Sequence, residues 1–311
     1  MSLGVLFPGQ GSQFVGMGAD LFDAMPDLLG DRSDDVLGWS LKSVCLDGPD
    51  DELTRTEHAQ PALFALSYAL WVLVAAEMDA DPAAAAGHSL GEYTALAAAR
   101  VLGYEEALAV VAARGRAMSK AADAEPSGMA ALIGADEESA LEMTSQRTVA
   151  GGRLQVANLN APGQVVVAGA DDDISWLIDN AQELGVRRAI PLNVAGAFHS
   201  SFMESAQPEV ADALSNADLR PPAFPVWSNT TAAPHEAGEI ENTLVAQLVS
   251  PVRFSESLVN MAAAGVDTFV HVGPGDVTAG MARRTVKEAN VAVISTIEDI
   301  QFALVSIGTM A

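Results

Sequence analysis

The sequence is poor in cysteine, in lysine and in positive charge of any kind. Its 311 residues include one cysteine, Cys45, and three lysines, and 16 basic residues face 41 acidic ones, which gives a formal net charge of −25. A single cysteine excludes an internal disulfide and is typical of a reducing compartment. The strong negative charge repels nucleic acid and anionic membrane surfaces, so we expect neither as a partner.

The sequence also has no hydrophobic run that predicts a membrane span. The apolar stretch at residues 61–76 contains Ser67 and Tyr68 and ends before Glu77, so it predicts a buried helix that is too short to cross a bilayer. The first seven residues carry no basic leader and have the pattern of a strand. We therefore expect no signal peptide and a cytoplasmic protein.

Short apolar runs alternate with helical patterns over the first 122 residues, which indicates an α/β layer with a parallel sheet. From residue 128 to 192 the pattern changes to strand, helix, strand, helix, strand. Later strands are predicted at 225–229 and 268–272. We expect an α/β core made of residues 1–124 and 196–311, with a small α+β subdomain inserted at 125–195.

A nucleophile-elbow pattern, Gly-x-Ser-x-Gly, lies at Gly87–Gly91 with Ser89 at its centre. In such an elbow a tight turn between a strand and a helix pushes the serine hydroxyl away from the backbone. The alanine run 83–86 before it predicts a short buried strand, and residues 92–99 after it are helix formers. The two glycines fit a turn that leaves no room for side chains. Ser89 is therefore a candidate covalent acyl acceptor.

A serine nucleophile needs a base, and five histidines are available. His199 follows one predicted strand and precedes a helix-like stretch, a common position for active-site side chains, so we favour it as the base. His88 adjoins the nucleophile but points away from it in an elbow, and we expect it to be structural. His58 and His235 lie among polar residues and are expected to be solvated. His271 ends a predicted strand and is expected to be structural.

One arginine falls on the apolar side of a predicted helix. Residues 104–122 form an amphipathic pattern in which Arg114 lies at the edge of the apolar stripe and Arg116 on the opposite face. An inward-facing guanidinium has to be paired, because an unpaired buried charge is very costly. Two partners remain open at this point. Arg114 can form an internal salt bridge with an Asp or Glu, or it can hold the carboxylate of a substrate by two parallel hydrogen bonds.

Six segments occur in an order that resembles a known family. They are Phe7-Pro8-Gly9-Gln10-Gly11-Ser12-Gln13, Gly87-His88-Ser89-Leu90-Gly91-Glu92-Tyr93, Ala113-Arg114-Gly115-Arg116, Asn160-Ala161-Pro162-Gly163-Gln164-Val165-Val166, Gly196-Ala197-Phe198-His199-Ser200 and Val272-Gly273-Pro274-Gly275. Together they resemble the malonyl-coenzyme A:acyl carrier protein transacylases of fatty-acid and polyketide synthesis. The resemblance implies a hydrolase-like α/β core with a nucleophile elbow and an inserted ferredoxin-like subdomain.

The resemblance also implies roles for the matching residues. Ser89 corresponds to the nucleophile and His199 to its base, which the backbone carbonyl of Gln247 orients. The backbone N–H groups of Gln10 and Leu90 correspond to the oxyanion hole. The substrate-binding set comprises Arg114, which corresponds to the residue that binds the malonyl carboxylate, together with Phe198, Asn160 and Gln247.

The implied reaction is a ping-pong transfer of malonate from coenzyme A to the phosphopantetheine thiol of an acyl carrier protein. It needs no metal and no redox cofactor, and we expect a monomer. Because such carriers are acidic, we expect a local basic patch at the cleft mouth for the carrier and the coenzyme A phosphates. The candidates for this patch are Arg187, Arg188, Arg283 and Arg284.

Other functions are compatible with parts of the sequence. An esterase or acyl thioesterase shares the elbow but has no use for an inward carboxylate receptor such as Arg114. A discrete trans-acting polyketide acyltransferase shares every motif. A non-catalytic module that binds carrier proteins would not need Ser89 and His199.

Phe198 generates a prediction about acyl selectivity. Malonyl-selective members of the resembled family carry phenylalanine before the histidine, and methylmalonyl-selective ones carry a smaller residue. A ring at this position crowds an α-methyl group, and a misfit of about one methylene is worth roughly 1–3 kcal/mol, or about 10- to 200-fold. We expect kcat/KM to favour malonyl- over methylmalonyl-coenzyme A by this factor. Equal values for the two thioesters would contradict the assignment of Phe198.

Overall fold

Residues 2–306, the part of the chain that this computed structural model describes, contain nine strands, fifteen α-helices and two 3-10 helices, Ser201–Ala206 and Ala237–Glu239. The strands are β1 Leu3–Phe7, β2 Ala84–Gly87, β3 Ser127–Ile133, β4 Leu154–Ala161, β5 Gln164–Ala170, β6 Arg188–Pro191, β7 Val226–Trp227, β8 Thr268–Val272 and β9 Asn290–Ile294. The helices are α1 Ala19–Ala24, α2 Pro26–Leu29, α3 Asp31–Leu37, α4 Leu41–Leu46, α5 Asp50–Thr54, α6 Thr56–Ala76, α7 Gly91–Ala98, α8 Tyr104–Ala124, α9 Glu137–Val149, α10 Asp171–Asn180, α11 Gln207–Ser215, α12 Ile240–Gln247, α13 Phe254–Ala263, α14 Val277–Thr285 and α15 Ile297–Ser306.

A five-stranded parallel sheet forms the larger layer, in the order β7-β2-β1-β8-β9. This confirms the predicted α/β layer. The register aligns Phe7 at the end of β1 with Gly87 at the end of β2, so the loop after β1 lies beside the elbow. His88 N–H donates to the Phe7 carbonyl at 3.0 Å and fixes the two segments together.

The alanine run before the elbow forms a central strand, as predicted, despite its weak strand propensity. Ala84, Ala85 and Ala86 are fully buried between β1 and β7. Ala85 faces one hydrophobic cluster, and Ala84 and Ala86 face another on the opposite side of the sheet. Packing on both faces decides the conformation here, since strand propensity depends on context more than on residue type.

The apolar stretch at 61–76 belongs to α6, which begins earlier, at Thr56. The expectation that it is too short to cross a bilayer was wrong. The helix has 21 residues and, by length and composition alone, is long and apolar enough to cross a membrane. In the fold, however, 72% of the most apolar 18-residue stretch of this helix is buried. The helix packs mainly against α8, so its apolar surface is accounted for within the protein.

A four-stranded antiparallel sheet forms the second layer, in the order β4-β5-β3-β6, with α9 and α10 packed against it. In sequence the elements run β3, α9, β4, β5, α10, β6, which is the ferredoxin-like pattern. The predicted strand-helix-strand-helix-strand order missed β4. That strand carries Asn158 and Asn160 and is interrupted by register shifts, so its polar and apolar residues do not alternate regularly.

The edge strand β4 is also hydrogen-bonded to the core. Leu159 N–H donates to the Val252 carbonyl, and Val252 N–H donates to the Ala157 carbonyl, both at 2.8 Å. The antiparallel sheet is therefore attached to the larger layer through main-chain bonds in addition to its two chain connections. The boundaries at 125 and 195 remain a prediction.

Candidate active site

Ser89 occupies a strained turn between β2 and α7. Its φ is +50°, a left-handed conformation that side chains rarely adopt, and a Cβ on Gly87 or Gly91 would overlap neighbouring backbone atoms. Two distant side chains satisfy the backbone of Ser89. Its N–H donates to Asn229 Oδ1 at 2.7 Å, and its carbonyl accepts from Gln247 Nε2 at 3.0 Å. The turn is thus held in a form that presents the hydroxyl to a cavity.

Ser89 and His199 form a hydrogen-bonded pair. Ser89 Oγ lies 2.7 Å from His199 Nε2, and His199 Nδ1 lies 2.8 Å from the carbonyl oxygen of Gln247. A carbonyl can only accept, so the Nδ1 atom carries the proton and Nε2 presents its lone pair to the serine hydroxyl. The geometry is that of a nucleophile, a base and a group that orients the base.

The surroundings of His199 keep its imidazole neutral. Burial first, and then the nearby positive charge of Arg114, lower the pKa of His199 from 6.5 to about 3. A neutral imidazole is the form that accepts a proton from serine, so the base is in its working state at any ordinary pH.

A cavity of about 190 Å³ opens in front of Ser89, between the two sheets. Its walls come from both layers and include Met118, Met129, Val166, Leu192, Val194, Phe198, Val277 and Met281. Gln10 and Leu90 also line it, and neither of their backbone N–H groups donates a hydrogen bond within residues 2–306. Two free donors beside a nucleophile are what a developing oxyanion requires.

Arg114 is fully buried on α8, as its helical phase predicts, whereas Arg116 is exposed. Its Nη1 donates to Gln60 Oε1 at 2.7 Å, and its Nη2 donates to Gln247 Oε1 at 2.8 Å and to Ser89 Oγ at 3.1 Å. The guanidinium lies 5.3 Å from the centre of the Tyr93 ring. It forms no ion pair with any carboxylate of residues 2–306, so the internal salt bridge left open by the sequence is absent there.

Behind the nucleophile lies a buried polar network that the sequence did not predict. Glu92 on α7 accepts from Gln247 Nε2 at 2.6 Å and from Asn229 N at 3.1 Å, and it lies 2.6 Å from His235 Nε2. Gln247 was expected among the substrate-binding residues. Its side chain is fully buried and does not line the cavity, so its role in binding substrate remains a prediction. Its amide instead holds Arg114, Glu92 and the turn in place.

A second hydrogen-bonded pair lines the cavity. His88 Nε2 is 2.7 Å from Asn160 Oδ1, and both residues line the cavity together with Phe198. Burial lowers the pKa of His88, so the neutral ring donates to the Asn160 oxygen. His88 therefore joins the elbow to the antiparallel sheet and does not contact Ser89 Oγ.

Two histidines that we expected to be solvated are covered, one partly and one fully. The His58 side chain lies on α6, 13% exposed, and its Nδ1 is 3.0 Å from Glu52 Oε1. The His235 side chain is fully buried against Glu92. In both cases a nearby acid covers the ring, which the polar local sequence did not reveal. His271 is structural, as expected, with its ring bonded to Thr278 Oγ1 and to the Gly273 carbonyl.

The four arginines of the predicted basic patch lie on the surface. Arg187 directly precedes β6 and Arg188 is its first residue, and Arg283 and Arg284 lie on α14 within one turn of the cavity-lining Met281. None of the four forms an ion pair within residues 2–306, although Arg283 donates to the Val291 carbonyl. Over the same residues, no group of three or more His, Cys, Asp and Glu side chains is placed to hold a metal ion.

Comparison with known proteins gives consistent matches over nearly the whole chain. A family model described as the acyl transferase domain matches residues 5–307. A malonyl CoA-acyl carrier protein transacylase from Bacillus subtilis is 40% identical over 302 residues, which cover 96% of this chain and 95% of the relative. A polyketide biosynthesis malonyl CoA-acyl carrier protein transacylase from the same organism is 37% identical over 287 residues, covering 91% and 97% of the two chains.

Solved structures match the fold equally well. The crystal structure of an acyl carrier protein S-malonyltransferase from Vibrio cholerae has a TM-score of 0.91 and 35% identity, and the match covers 97% of this chain and 99% of that one. A malonyl-transacylase solved in complex with a type II polyketide-synthase acyl carrier protein has a TM-score of 0.93 and 34% identity, covering 98% and 100% of the two chains.

The environment of His199 generates a prediction about pH. Acylation of Ser89 by an uncharged active ester such as p-nitrophenyl acetate requires the neutral imidazole. Because the pKa of His199 is lowered to about 3, we expect the acylation rate to stay constant as the pH falls from 8 to about 5. Removing the Arg114 charge raises this pKa, so Arg114→Ala should move the acid limb to higher pH. A wild-type profile with a midpoint near the ordinary histidine value of about 6.5 would contradict this account.

Proposed function

The chain belongs to the malonyl-CoA:acyl carrier protein transacylase family, and we propose that it carries the acyl group as a malonyl ester on Ser89. It is an [acyl carrier protein] S-malonyltransferase that supplies malonyl units for fatty-acid or polyketide synthesis. The observation that carries the proposed mechanism is the contact of Ser89 Oγ with both His199 Nε2, at 2.7 Å, and Arg114 Nη2, at 3.1 Å.

In the first half-reaction Ser89 takes the malonyl group from coenzyme A. His199 Nε2 accepts the hydroxyl proton while Ser89 Oγ bonds to the thioester carbonyl carbon. The N–H groups of Gln10 and Leu90 stabilise the negative charge that develops on the carbonyl oxygen. The carbon–sulfur bond then breaks, His199 returns the proton to the departing thiolate, and coenzyme A leaves as the thiol.

The second half-reaction reverses these roles with a different thiol. The phosphopantetheine thiol of the carrier gives its proton to His199, and its sulfur attacks the ester carbonyl. The same two N–H groups stabilise the oxyanion. When the tetrahedral adduct collapses, the carbon–oxygen bond breaks and Ser89 Oγ recovers the proton from His199. The carrier leaves with the malonyl thioester and the enzyme is restored.

Arg114 supplies the selectivity for a dicarboxylic acyl group. The carboxylate carbon of a malonyl ester is three bonds from Ser89 Oγ, and Arg114 Nη2 already lies 3.1 Å from that oxygen. A guanidinium can bind a carboxylate through two parallel hydrogen bonds and so replace the water that the carboxylate loses. A simple esterase or thioesterase has no such requirement, which favours transfer of malonate over general ester hydrolysis.

We also propose a cytoplasmic location. Cys45, the sole cysteine of the chain, is a free thiol buried on α4, consistent with a reducing compartment.

Intact mass spectrometry after brief exposure to malonyl-CoA tests the covalent intermediate. We expect one malonyl adduct on the wild type and none on Ser89→Ala, because this change removes only the nucleophilic oxygen. Ser12→Ala is a suitable control, since Ser12 is buried and does not line the cavity. Persistence of the adduct in Ser89→Ala would overturn the assignment.

Replacing Arg114 by alanine should change acyl selectivity while leaving the nucleophile reactive. Truncating one partner of a buried charged pair costs about 2–5 kcal/mol, so kcat/KM for malonyl-CoA should fall roughly 30-fold to several thousand-fold. Acetyl-CoA has no carboxylate to desolvate, and its kcat/KM should fall much less. The exposed Arg116→Ala serves as the control, because it lies two residues further on the same helix. A parallel loss for both thioesters would make Arg114 a structural residue.

The carrier protein is the expected macromolecular partner, and we propose that the free arginines beside the cleft attract it. Seven other arginines form ion pairs with acids: Arg32, Arg55, Arg100, Arg147, Arg153, Arg220 and Arg253. The patch arginines retain an unneutralised charge in a protein of net charge −25. Arg188 faces the same side of the antiparallel sheet as the cavity-lining Val166, since it pairs with Ile133, which pairs with Gln164.

Charge reversal tests the basic patch. Arg188→Glu or Arg284→Glu should slow malonyl transfer to the carrier by roughly tenfold at low salt, because steering by surface charge acts on association rates. Self-malonylation by malonyl-CoA should change much less. Arg116→Glu makes the same change in net charge on another exposed surface. It therefore controls for the overall electrostatic field of the protein. Equal slowing of both half-reactions would assign these arginines to coenzyme A or to the fold.

A further inference from the structure

Glu92 is a buried carboxylate that the reaction does not use. Its side chain is fully buried, and no lysine or arginine of residues 2–306 contacts it. Three groups surround its two oxygens: Gln247 Nε2 at 2.6 Å, the Asn229 N–H at 3.1 Å and His235 Nε2 at 2.6 Å. These three groups supply the hydrogen bonds without which a buried carboxyl group would be costly.

A single amide connects this carboxylate to Arg114. Arginine can only donate, so the Gln247 oxygen must face the guanidinium, and its Nε2 must then face Glu92. The two charges of the buried site therefore lie two hydrogen bonds apart, at 2.8 Å and 2.6 Å, with neutral groups between them. Apart from the His235 ring beside Glu92, no ionisable group of opposite sign within residues 2–306 forms an ion pair with either of them.

We propose that Glu92 is a positioning residue that balances the charge of Arg114 through Gln247 and thereby moderates how strongly the guanidinium attracts an acyl carboxylate. In the empty enzyme Glu92 makes a buried guanidinium tolerable without occupying its carboxylate-binding edge. When malonate binds, the same negative charge weakens its attraction to Arg114. This inference rests on the proposed role of Arg114 as the carboxylate receptor.

Glu92 also supports the shape of the elbow, so charge and geometry have to be separated. It binds Asn229 and Gln247, and these hold the N–H and the carbonyl of Ser89. Glu92→Gln preserves the size of the side chain, and its amide oxygen can still accept from both partners. Only the negative charge is removed. Glu92→Asp makes the opposite change, since it retains the charge and shortens the reach.

The test is the ratio of kcat/KM for malonyl-CoA to that for acetyl-CoA. In Glu92→Gln we expect this ratio to rise on the order of tenfold, as an effective dielectric constant near 20 predicts for a unit charge about 10 Å from the bound carboxylate. In Glu92→Asp the ratio should stay near the wild-type value although both rates fall. A residue that only supports the elbow would lower both rates in both variants and leave the ratio unchanged.

Thermal unfolding of the acylated forms gives an independent measurement. Without Glu92 the Arg114 charge is uncompensated, so unacylated Glu92→Gln should unfold at a lower temperature than the wild type. Malonylation supplies the missing negative charge and should raise the unfolding temperature of this variant by several degrees more than that of the wild type. Acetylation should not do so. Equal malonyl-dependent shifts in the two proteins would overturn the proposal.

Two further variants separate this proposal from the role of Arg114. If Arg114→Ala leaves the malonyl-to-acetyl ratio unchanged, Arg114 is not the receptor and both proposals fail. If Arg114→Ala lowers the ratio but Glu92→Gln does not raise it, only the proposal for Glu92 fails. Glu105→Gln, which removes an exposed acid that is paired with Arg32, controls for the loss of one negative charge.

Discussion

Arg114 keeps a positive charge inside the protein with only neutral oxygens against it. Side-chain amides of Gln60 and Gln247, the hydroxyl of Ser89 and the face of Tyr93 surround the guanidinium. A direct salt bridge would have stabilised the empty enzyme better, because a buried guanidinium without an anion is costly. It would also have removed the proposed binding site, since the substrate carboxylate would then have to displace an internal one. Because side-chain amides and not a carboxylate face the guanidinium, many polar groups are buried around the elbow.

The position of the cavity follows from the joining of two sheets. The parallel sheet supplies Ser89 and the free N–H groups, and the antiparallel sheet supplies Asn160 and much of the apolar wall. Main-chain hydrogen bonds between β4 and Val252 hold the two layers together, and the hydrogen bond between His88 and Asn160 adds a side-chain link. A site divided between two layers depends on such links, because catalytic geometry tolerates displacements of only a fraction of an ångström.

Local patterns predicted the residues whose environment is set within one element. The glycines around Ser89 and the helical phase of Arg114 each report a constraint that acts over a few residues, and the structure has both elements as expected. The strand β4 was not predicted, because its register shifts and cavity-facing asparagines disturb the two-residue period of a strand. The hydrogen bonds of Glu92 were not predicted for a different reason, since its partners lie more than 130 residues away in sequence. Asn229 did carry a weak signal, because it follows the end of a parallel strand.

The burial of Cys45 has a chemical consequence for an enzyme that takes its acyl group from one thiol and gives it to another. Thioesters exchange with thiolates, and the reactive form of cysteine is the thiolate. Burial raises the pKa of Cys45 to about 12, so the thiol is both enclosed and protonated. The folded chain therefore offers no reactive thiol of its own to an incoming thioester. The thiol that takes the acyl group therefore has to come from another molecule, and Cys45 cannot compete with it as an acceptor.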